Sequence, residues 1–427
     1  MSQTSALAAP ASAGNGRTLF AGAIGNVLEW YDFAVYGYFA PIFARNFFPS
    51  DDHVASLLAA FGVFAAAYMM RPLGSILFGH IGDRFTRKRA LTISVVAMAL
   101  STCVIGLLPT YAMMGAGAPV LLIVLRLLQG ISIGGEFTTS IIFLVERSAP
   151  GRRGFVGSWG CFGASSGLLL GSAVGSLVDG TLPSDAVASW GWRLPFLFGI
   201  VLGIIALYLR LHLQDDGAAP ARHVTRLPLV EAIATEWRGI IRCFVINIGF
   251  GVSFYTVFIY LTTYLHQMDA VPEYKSLEIN TGSMIAMLAL IPCVGALSDR
   301  FGRKRVLAVS LVVLIVLAWP LFQLLDSSAT VSILVGQVGL AILIAGYSGT
   351  VPTLMVEMFP AWVRCTALSL SYNLALGIVG GTTPLVAIYL IHRTRNDMAP
   401  AYYLAAASAI SLAGLLTLKD RTGQPLR

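Results

Sequence analysis

Apolar runs about 20 residues long recur through the whole chain, and this feature limits its possible folds more than any other. A helix needs about 20 mostly apolar residues to cross the hydrocarbon of a bilayer. Such runs occupy approximately 19–43, 55–79, 90–108, 118–145, 154–178 and 192–213. After a polar stretch they resume at 239–266, 281–297, 305–325, 329–356, 364–391 and 400–418. Twelve spans, split six and six, predict an all-α membrane protein. The expected organisation is a tail over 1–18, a six-helix bundle over 19–213, a linker over 214–238, a second bundle over 239–418 and a tail over 419–427. Composition agrees: 56% of the 427 residues are hydrophobic and only 11% charged, where a soluble domain carries about 25% charged residues. Water-soluble and disordered classes are excluded.

Orientation follows from the basic residues. If both termini lie inside, the inner segments hold 21 of the 28 Lys and Arg and the outer ones five, with Arg71 and Arg126 within spans. This positive-inside asymmetry places both termini in the cytoplasm of a multi-pass protein of the inner membrane. It also explains the net charge of +7 without nucleic acid. Residues 1–16 lack a basic segment followed by an apolar run, so no cleaved signal is read. The cysteines 103, 161, 243, 293 and 365 have no C-x-x-C spacing, and neither a disulfide framework nor a metal site is indicated.

The two halves repeat. Gly79 to Arg89 reads GHIGDRFTRKR and Gly295 to Arg305 reads GALSDRFGRKR, 216 positions apart. Glu146, Pro150 and Arg153 are echoed by Glu357, Pro360 and Arg364 at nearly the same offset. Two matches on corresponding inner loops point to the parallel-repeat plan of a secondary transporter. The G-x-x-x-D-R-x-x-R-K-R loops resemble the signature of the major facilitator superfamily. Within it the chain resembles the metabolite:proton symporter branch of citrate, 2-oxoglutarate, shikimate and proline/betaine carriers. That likeness rests on Gly25 to Phe33 (GNVLEWYDF), Arg71 to Gly74 (RPLG), Arg126 to Gly130 (RLLQG), Gly134 to Glu136 (GGE) and Trp190 to Arg193 (WGWR). Thr86 stands where the loop motif usually has glycine, whereas Gly302 keeps it. The resemblance implies the major facilitator fold, two six-helix bundles related by a pseudo-two-fold axis.

No lysine follows a glycine, so the phosphate loop of an ATP-driven pump is absent and an ion gradient remains as the energy source. Five charges fall in mid-span, all in the first half: Glu29, Asp32, Arg71, Arg126 and Glu136. A charge at the bilayer centre costs at least ~2.5 kcal/mol and usually faces protein or a water-filled cavity. The six histidines (53, 80, 212, 223, 266 and 392) fall near span ends or in loops, so a proton relay has to use carboxylates. At 100° per residue Arg126, Gln129, Ile133 and Glu136 share one stripe, and Asn26, Glu29, Phe33 and Tyr36 another with Asp32 at its edge. The resemblance turns both stripes toward a central cavity. The reading is that Glu29, Asp32 and Glu136 form the proton site and Arg126 anchors an anionic substrate group beside Asn26, Gln129 and Tyr36. Glu136 paired to Arg126 or another buried partner as a fixed bridge is the competing reading, and Arg71 serves as readily to brace helix packing. The second half offers amides and rings: Asn247 and Asn373, which need a partner at membrane depth, and Tyr255, with Tyr264, Tyr347 and Tyr372 as further cavity candidates.

Glycines 160, 163, 167, 171 and 175 on the fifth span, and 377, 380 and 381 on the eleventh, read as packing and rocking surfaces. For the gate, the resemblance implies that Asp83 and Asp299, flanked by Arg87 and Arg303, bridge to Arg153 and Arg364 and close the cytoplasmic side. The function expected is proton-coupled symport of a small organic anion, a di- or tricarboxylate, by alternating access, with the bilayer as surroundings, no cofactor and a monomeric state. A zwitterionic osmolyte of the proline/betaine type is the alternative substrate. A passive channel or receptor is the alternative class, and an enzyme is disfavoured because no histidine lies in mid-span.

Overall fold

The computed structural model describes residues 16–212, 227–261, 264–265, 273–327 and 329–427. The expected tail up to residue 15, the linker over 214–226, His223 and His266 lie outside the described residues. Among those described, every regular element is a helix. The first is α1 (Gly16–Tyr38), which carries Glu29 and Asp32. Eleven others are, among the described residues, the helices long and apolar enough to cross a membrane: α2 (Ala55–Arg84), α3 (Arg87–Leu107), α4 (Gly117–Glu146), α5 (Pro150–Thr181), α6 (Arg193–Leu211), α7 (Pro228–Tyr260), α8 (Lys275–Phe301), α9 (Arg303–Leu325), α10 (Thr330–Met358), α11 (Arg364–Thr394) and α12 (Ala399–Leu416).

Local chemistry shapes the breaks. The helix of α2 is interrupted at Met70, just ahead of Pro72 at the start of its second segment, where a proline's missing N–H costs least. In α11 the backbone widens to π-helical turns over Ala375–Gly380. Pro384 has no N–H to give the Gly380 carbonyl, and a π-bulge is one way to absorb that loss. A matching π stretch spans Thr256–Tyr260 in α7. Helix α7 starts at Pro228, ahead of the expected 239, and departs from helical angles at Glu236 (φ −120°, ψ 19°). Its lead-in contains Glu231, Glu236, Arg238 and an exposed Trp237, too polar for a hydropathy reading to count as span.

Corresponding helices pair in both halves. Helix α1 packs on α5, α2 on α4, and α3 on α4 and α6; in the second half α7 packs on α11, α8 on α10, and α9 on α10 and α12. This is the two-bundle arrangement with pseudo-two-fold symmetry that the repeat predicts. The bundles meet chiefly through α2 with α11 and α5 with α8, again symmetry mates. At the α5–α8 contact Gly154 and Gly295 lie back to back, and a Cβ on either would strike the other's carbonyl. The glycine stripe on α5 is the packing surface expected, but not a rocking one. Gly163, Gly167 and Gly171 press against Ala23, Val27 and Tyr31 of α1, so it is a packing seam inside one bundle and not a sliding surface between two.

Candidate functional site

Three arginine–carboxylate pairs lie inside the first bundle, and two of them are tightly bound. Arg126 donates from Nη1 to Asp32 Oδ2 at 2.5 Å, and Thr102 and Gln129 donate to Oδ1 at 2.9 and 2.8 Å. The Arg126 guanidinium lies 4.0 Å over the Tyr36 ring, whose hydroxyl is spent on the Ala60 carbonyl at 3.0 Å. Glu136 pairs with Arg210 through both carboxylate oxygens and accepts from Ser94 at 2.7 Å. All four side chains are buried. Such a pair survives desolvation only when its geometry and its remaining hydrogen bonds are satisfied.

These contacts correct two expectations. Arg126 faces Asp32 and Gln129 within the bundle, so its stripe does not present it to a cavity. Glu136 is held by another buried partner, Arg210, as in the fixed-bridge reading, and not left open as a proton site. Arg210 lies three residues from the end of the 192–213 run, outside the five mid-span charges named above, yet it is fully buried. Counting it, the three acids buried within the spans of the first bundle are balanced by three arginines.

The third pair is held loosely. Arg71 Nη2 stands 3.5 Å from Glu29 Oε1, and neither Glu29 oxygen accepts a hydrogen bond. Both side chains are buried. Arg71 reaches across the bundle boundary, where Nε donates to Asn373 Oδ1 on α11 at 3.2 Å, and it lies 5.3 Å over the Tyr68 ring. Its Nη1 and Nη2 donate no hydrogen bond. Asn373 Nδ2 returns across the boundary to the Gly134 carbonyl at 2.8 Å. Nearby, Thr138 and Ser369 share a hydrogen bond of 2.5 Å between bundles, and Tyr255 meets Tyr68 with ring centroids 6.4 Å apart.

The remaining candidates are structural in this conformation. Asn26 donates to Ser140 at 2.8 Å inside the first bundle, and Asn247 to the Cys243 carbonyl at 2.8 Å inside the second. Tyr347 gives its hydroxyl to the Ile246 carbonyl, and Tyr264 donates to the Asp397 carbonyl at 3.3 Å. Tyr372 does line a central cavity between the bundles, with Trp30, Phe137, Phe250 and Phe254.

At the face carrying the basic loops the bundles are pinned by two matching clusters. Asp83 accepts from the backbone N–H groups of Cys365 and Thr366 at 3.0 and 2.8 Å, at the start of α11. Asp299 accepts from Gly154 and Phe155 at 2.8 and 2.9 Å, near the start of α5. Each carboxylate thus satisfies orphan amides at a helix N-terminus of the opposite bundle, where the backbone dipole also favours it. Arg87 and Arg303 hold their own motif's aspartate at 3.0 and 2.7 Å.

The expected bridges from Arg153 and Arg364 to the aspartates are not formed. Arg364 goes to Glu146 at 2.5 Å, which also takes Arg87 at 3.3 Å. Glu357 has Arg303 at 3.4 Å and Arg153 at 3.9 Å. The aspartates choose backbone instead, because an aspartate one helix end away from four unpaired amides finds partners that no arginine has to supply. Glu146 and Glu357 belong to this machinery, and their place in the second repeated pair was the signal for it. The chain after α12 lies over the same face: Gln424 O accepts from Arg153 at 2.6 Å, and Arg427 O from Arg364 and Ala361 N at 2.8 Å each.

Residues 18–216 match the family model described as Sugar (and other) transporter, and residues 273–426 the one described as Major Facilitator Superfamily. The proline/betaine transporter of Escherichia coli (strain K12) is 36% identical over 425 residues, covering 96% of this chain and 85% of that protein. The chain belongs to the major facilitator superfamily. The glycine betaine/proline/ectoine/pipecolic acid transporter OusA of Dickeya dadantii is 35% identical over 425 residues, covering 96% of this chain and 84% of its own. The proton:xylose symporter XylE from E. coli superposes with a TM-score of 0.78 at 17% identity, over 96% of this chain and 97% of XylE, a likeness of fold. As a major facilitator the chain is a multi-pass secondary transporter of a small molecule. Its paired clusters hold together one of the two faces that such a carrier has to open in turn.

Proposed function

We propose that the protein is a proton-coupled symporter of a zwitterionic osmolyte of the proline/betaine type, working by alternating access in the inner membrane. The curated relatives, named as proline/betaine transporters over nearly the whole chain, support this substrate class. They give no support to the citrate or 2-oxoglutarate type, and Arg126, the residue that favoured a di- or tricarboxylate, is committed to Asp32. The basic face is read as cytoplasmic from the charge bias, which puts both termini inside and the two gate clusters on the cytoplasmic side.

The observation that carries the coupling is the loose Glu29–Arg71 pair at the bundle boundary. Of the three acids buried within the spans of the first bundle, Glu29 alone lacks hydrogen bonds that would fix it as an anion, so it is the one that a proton from outside reaches at least cost. Protonated, it no longer holds Arg71. The free guanidinium Nη1 and Nη2 then donate to the carboxylate of the zwitterion. Proton and substrate bind together because each removes the other's competitor, and the Arg71–Asn373 contact passes that charge state to the second bundle. Asp32 and Glu136 stay bound to Arg126 and Arg210 as fixed braces.

Uptake into proteoliposomes tests the reading. Labelled glycine betaine and proline should accumulate when an inward proton gradient is imposed and equilibrate without one, while citrate and 2-oxoglutarate should not enter. Accumulation of the dicarboxylate alone would restore the organic-anion reading, and gradient-independent leakage would make the protein a passive pore.

A further inference from the structure

The central cavity is walled by five aromatic rings drawn from both bundles: Trp30 and Phe137 from α1 and α4, Phe250 and Phe254 from α7, and Tyr372 from α11. They meet across the boundary in pairs. Trp30 stands edge-on to Phe254 with centroids 5.6 Å apart, and Phe137 stacks on Tyr372 at 4.8 Å. The rest of the lining is small or apolar, with no charged side chain. The protein's own buried guanidiniums occupy other rings, Arg71 over Tyr68 and Arg126 over Tyr36. Tyr372 is followed in the chain by Asn373, which holds Arg71. Arg71, whose Nη1 and Nη2 donate no hydrogen bond, is thus held by the residue next to one ring of an uncharged aromatic box.

That juxtaposition matches one chemistry. A quaternary ammonium has no N–H, so hydrogen bonds cannot recognise it, but its spread positive charge is attracted to ring faces. Resting on the osmolyte reading above, we propose that Trp30, Phe137, Phe250, Phe254 and Tyr372 form a cation-binding box that receives the methylated ammonium of a betaine whose carboxylate lies on Arg71. The free volume in this conformation is about 20 Å³, room for about one water. Because the rings belong to two bundles, the box widens to ligand size only as the bundles separate, and its closure around the methyl groups accompanies the change of access.

The test uses the full chain in proteoliposomes, with labelled glycine betaine as substrate and 3,3-dimethylbutanoate as competitor. The competitor has the same shape and carboxylate, but its tert-butyl group carries no charge. In the wild-type protein it should compete at least about tenfold more weakly than unlabelled betaine. Trp30→Leu and Phe254→Leu should each raise the KM for betaine about 3- to 30-fold and narrow the gap between the two competitors, whereas Trp30→Phe should stay within about threefold of wild type. The gap is a ratio, so it does not depend on how much of each variant reaches the membrane. Equal competition by the two compounds in the wild-type protein would overturn the box while leaving betaine transport standing, as would an unchanged gap in both Leu variants. Absence of any betaine or proline uptake would instead bring down the osmolyte reading, and the box with it.

Discussion

The two bundles are built from the same helix pairs, yet they divide the chemistry unequally. Both carry a gate cluster of one aspartate, one motif arginine, one glutamate and an arginine from across the boundary. At membrane depth the resemblance ends. The first bundle buries Glu29, Asp32 and Glu136 against Arg71, Arg126 and Arg210, while the second meets it with amides, hydroxyls and rings. The repeat is preserved where the bundles have to close on each other and abandoned where the proposed coupling binds a proton. A charged site in one half facing a neutral half lets a single protonation event alter the boundary without a matching change opposite.

Breaking that asymmetry at Glu29 gives the largest expected effect. Glu29→Gln should abolish gradient-driven accumulation while counterflow of labelled betaine continues, because the proposed substrate site keeps Arg71. In the neutral half, Asn247→Ala should leave accumulation largely intact, since Asn247 donates within its own bundle. Accumulation that survives Glu29→Gln would move the coupling to another acid and remove the contrast.

Arg210 comes next. Arg210→Ala strands Glu136 as a buried, uncompensated charge, and breaking such a pair costs about 3–5 kcal/mol. A fall in thermal stability in detergent measures it. Adding Glu136→Gln to the same chain should restore much of the loss, because the pair is then absent and no longer half-removed. If the double variant is as unstable as the single one, Arg210 acts through packing and not through charge.

The fold was legible in the sequence because its signals are long: apolar runs of about 20 residues, a charge bias over every loop and a motif repeated once. The candidate site was legible only as a set of residue types. Glu29, Asp32, Arg126 and Gln129 were visible as polar groups in apolar runs, but their partners depend on which way each side chain turns. Arg210 was missed because a hydropathy boundary treats a residue near the end of a run as solvated, although its long side chain turns back to Glu136. Asp83 and Asp299 were assigned the wrong partners because they bind backbone amides, which every residue has and no sequence pattern marks.

The gates sharpen the comparison at the level of symmetry. Asp83→Asn and Asp299→Asn each leave one acceptor oxygen for two backbone N–H groups, so one charge-assisted hydrogen bond becomes neutral and the other is lost, a cost of about 1–2 kcal/mol. Each should favour the state opened at the basic face by about 5- to 30-fold. Cys365 is a built-in reporter, because it is buried beneath Asp83 and donates its backbone N–H to it. In a chain whose other four cysteines are serine, its maleimide labelling should accelerate by a similar factor in either variant. A strong effect from one aspartate alone would mean that the two clusters do not share the load.

The smallest effect is expected where the two motif loops themselves differ. Gly302 has φ 96° and ψ 139°, a region that side chains with a Cβ rarely enter. Thr86, its counterpart, is extended (φ −137°, ψ 150°), and its hydroxyl caps α3 by accepting from Arg89 N at 3.1 Å. The same turn is therefore made in two ways, one by backbone freedom and one by a side-chain cap. Thr86→Gly removes a cap in exchange for glycine, a change worth a few tenths of a kcal/mol, so Cys365 labelling should move by less than about twofold. Gly302→Ala forces a Cβ into the unfavourable region and against the Asp420 carboxylate, and should cost about 1–3 kcal/mol. If Thr86→Gly proves as disruptive as Gly302→Ala, the threonine does more than cap its helix, and the first motif loop is held by a contact that the second lacks.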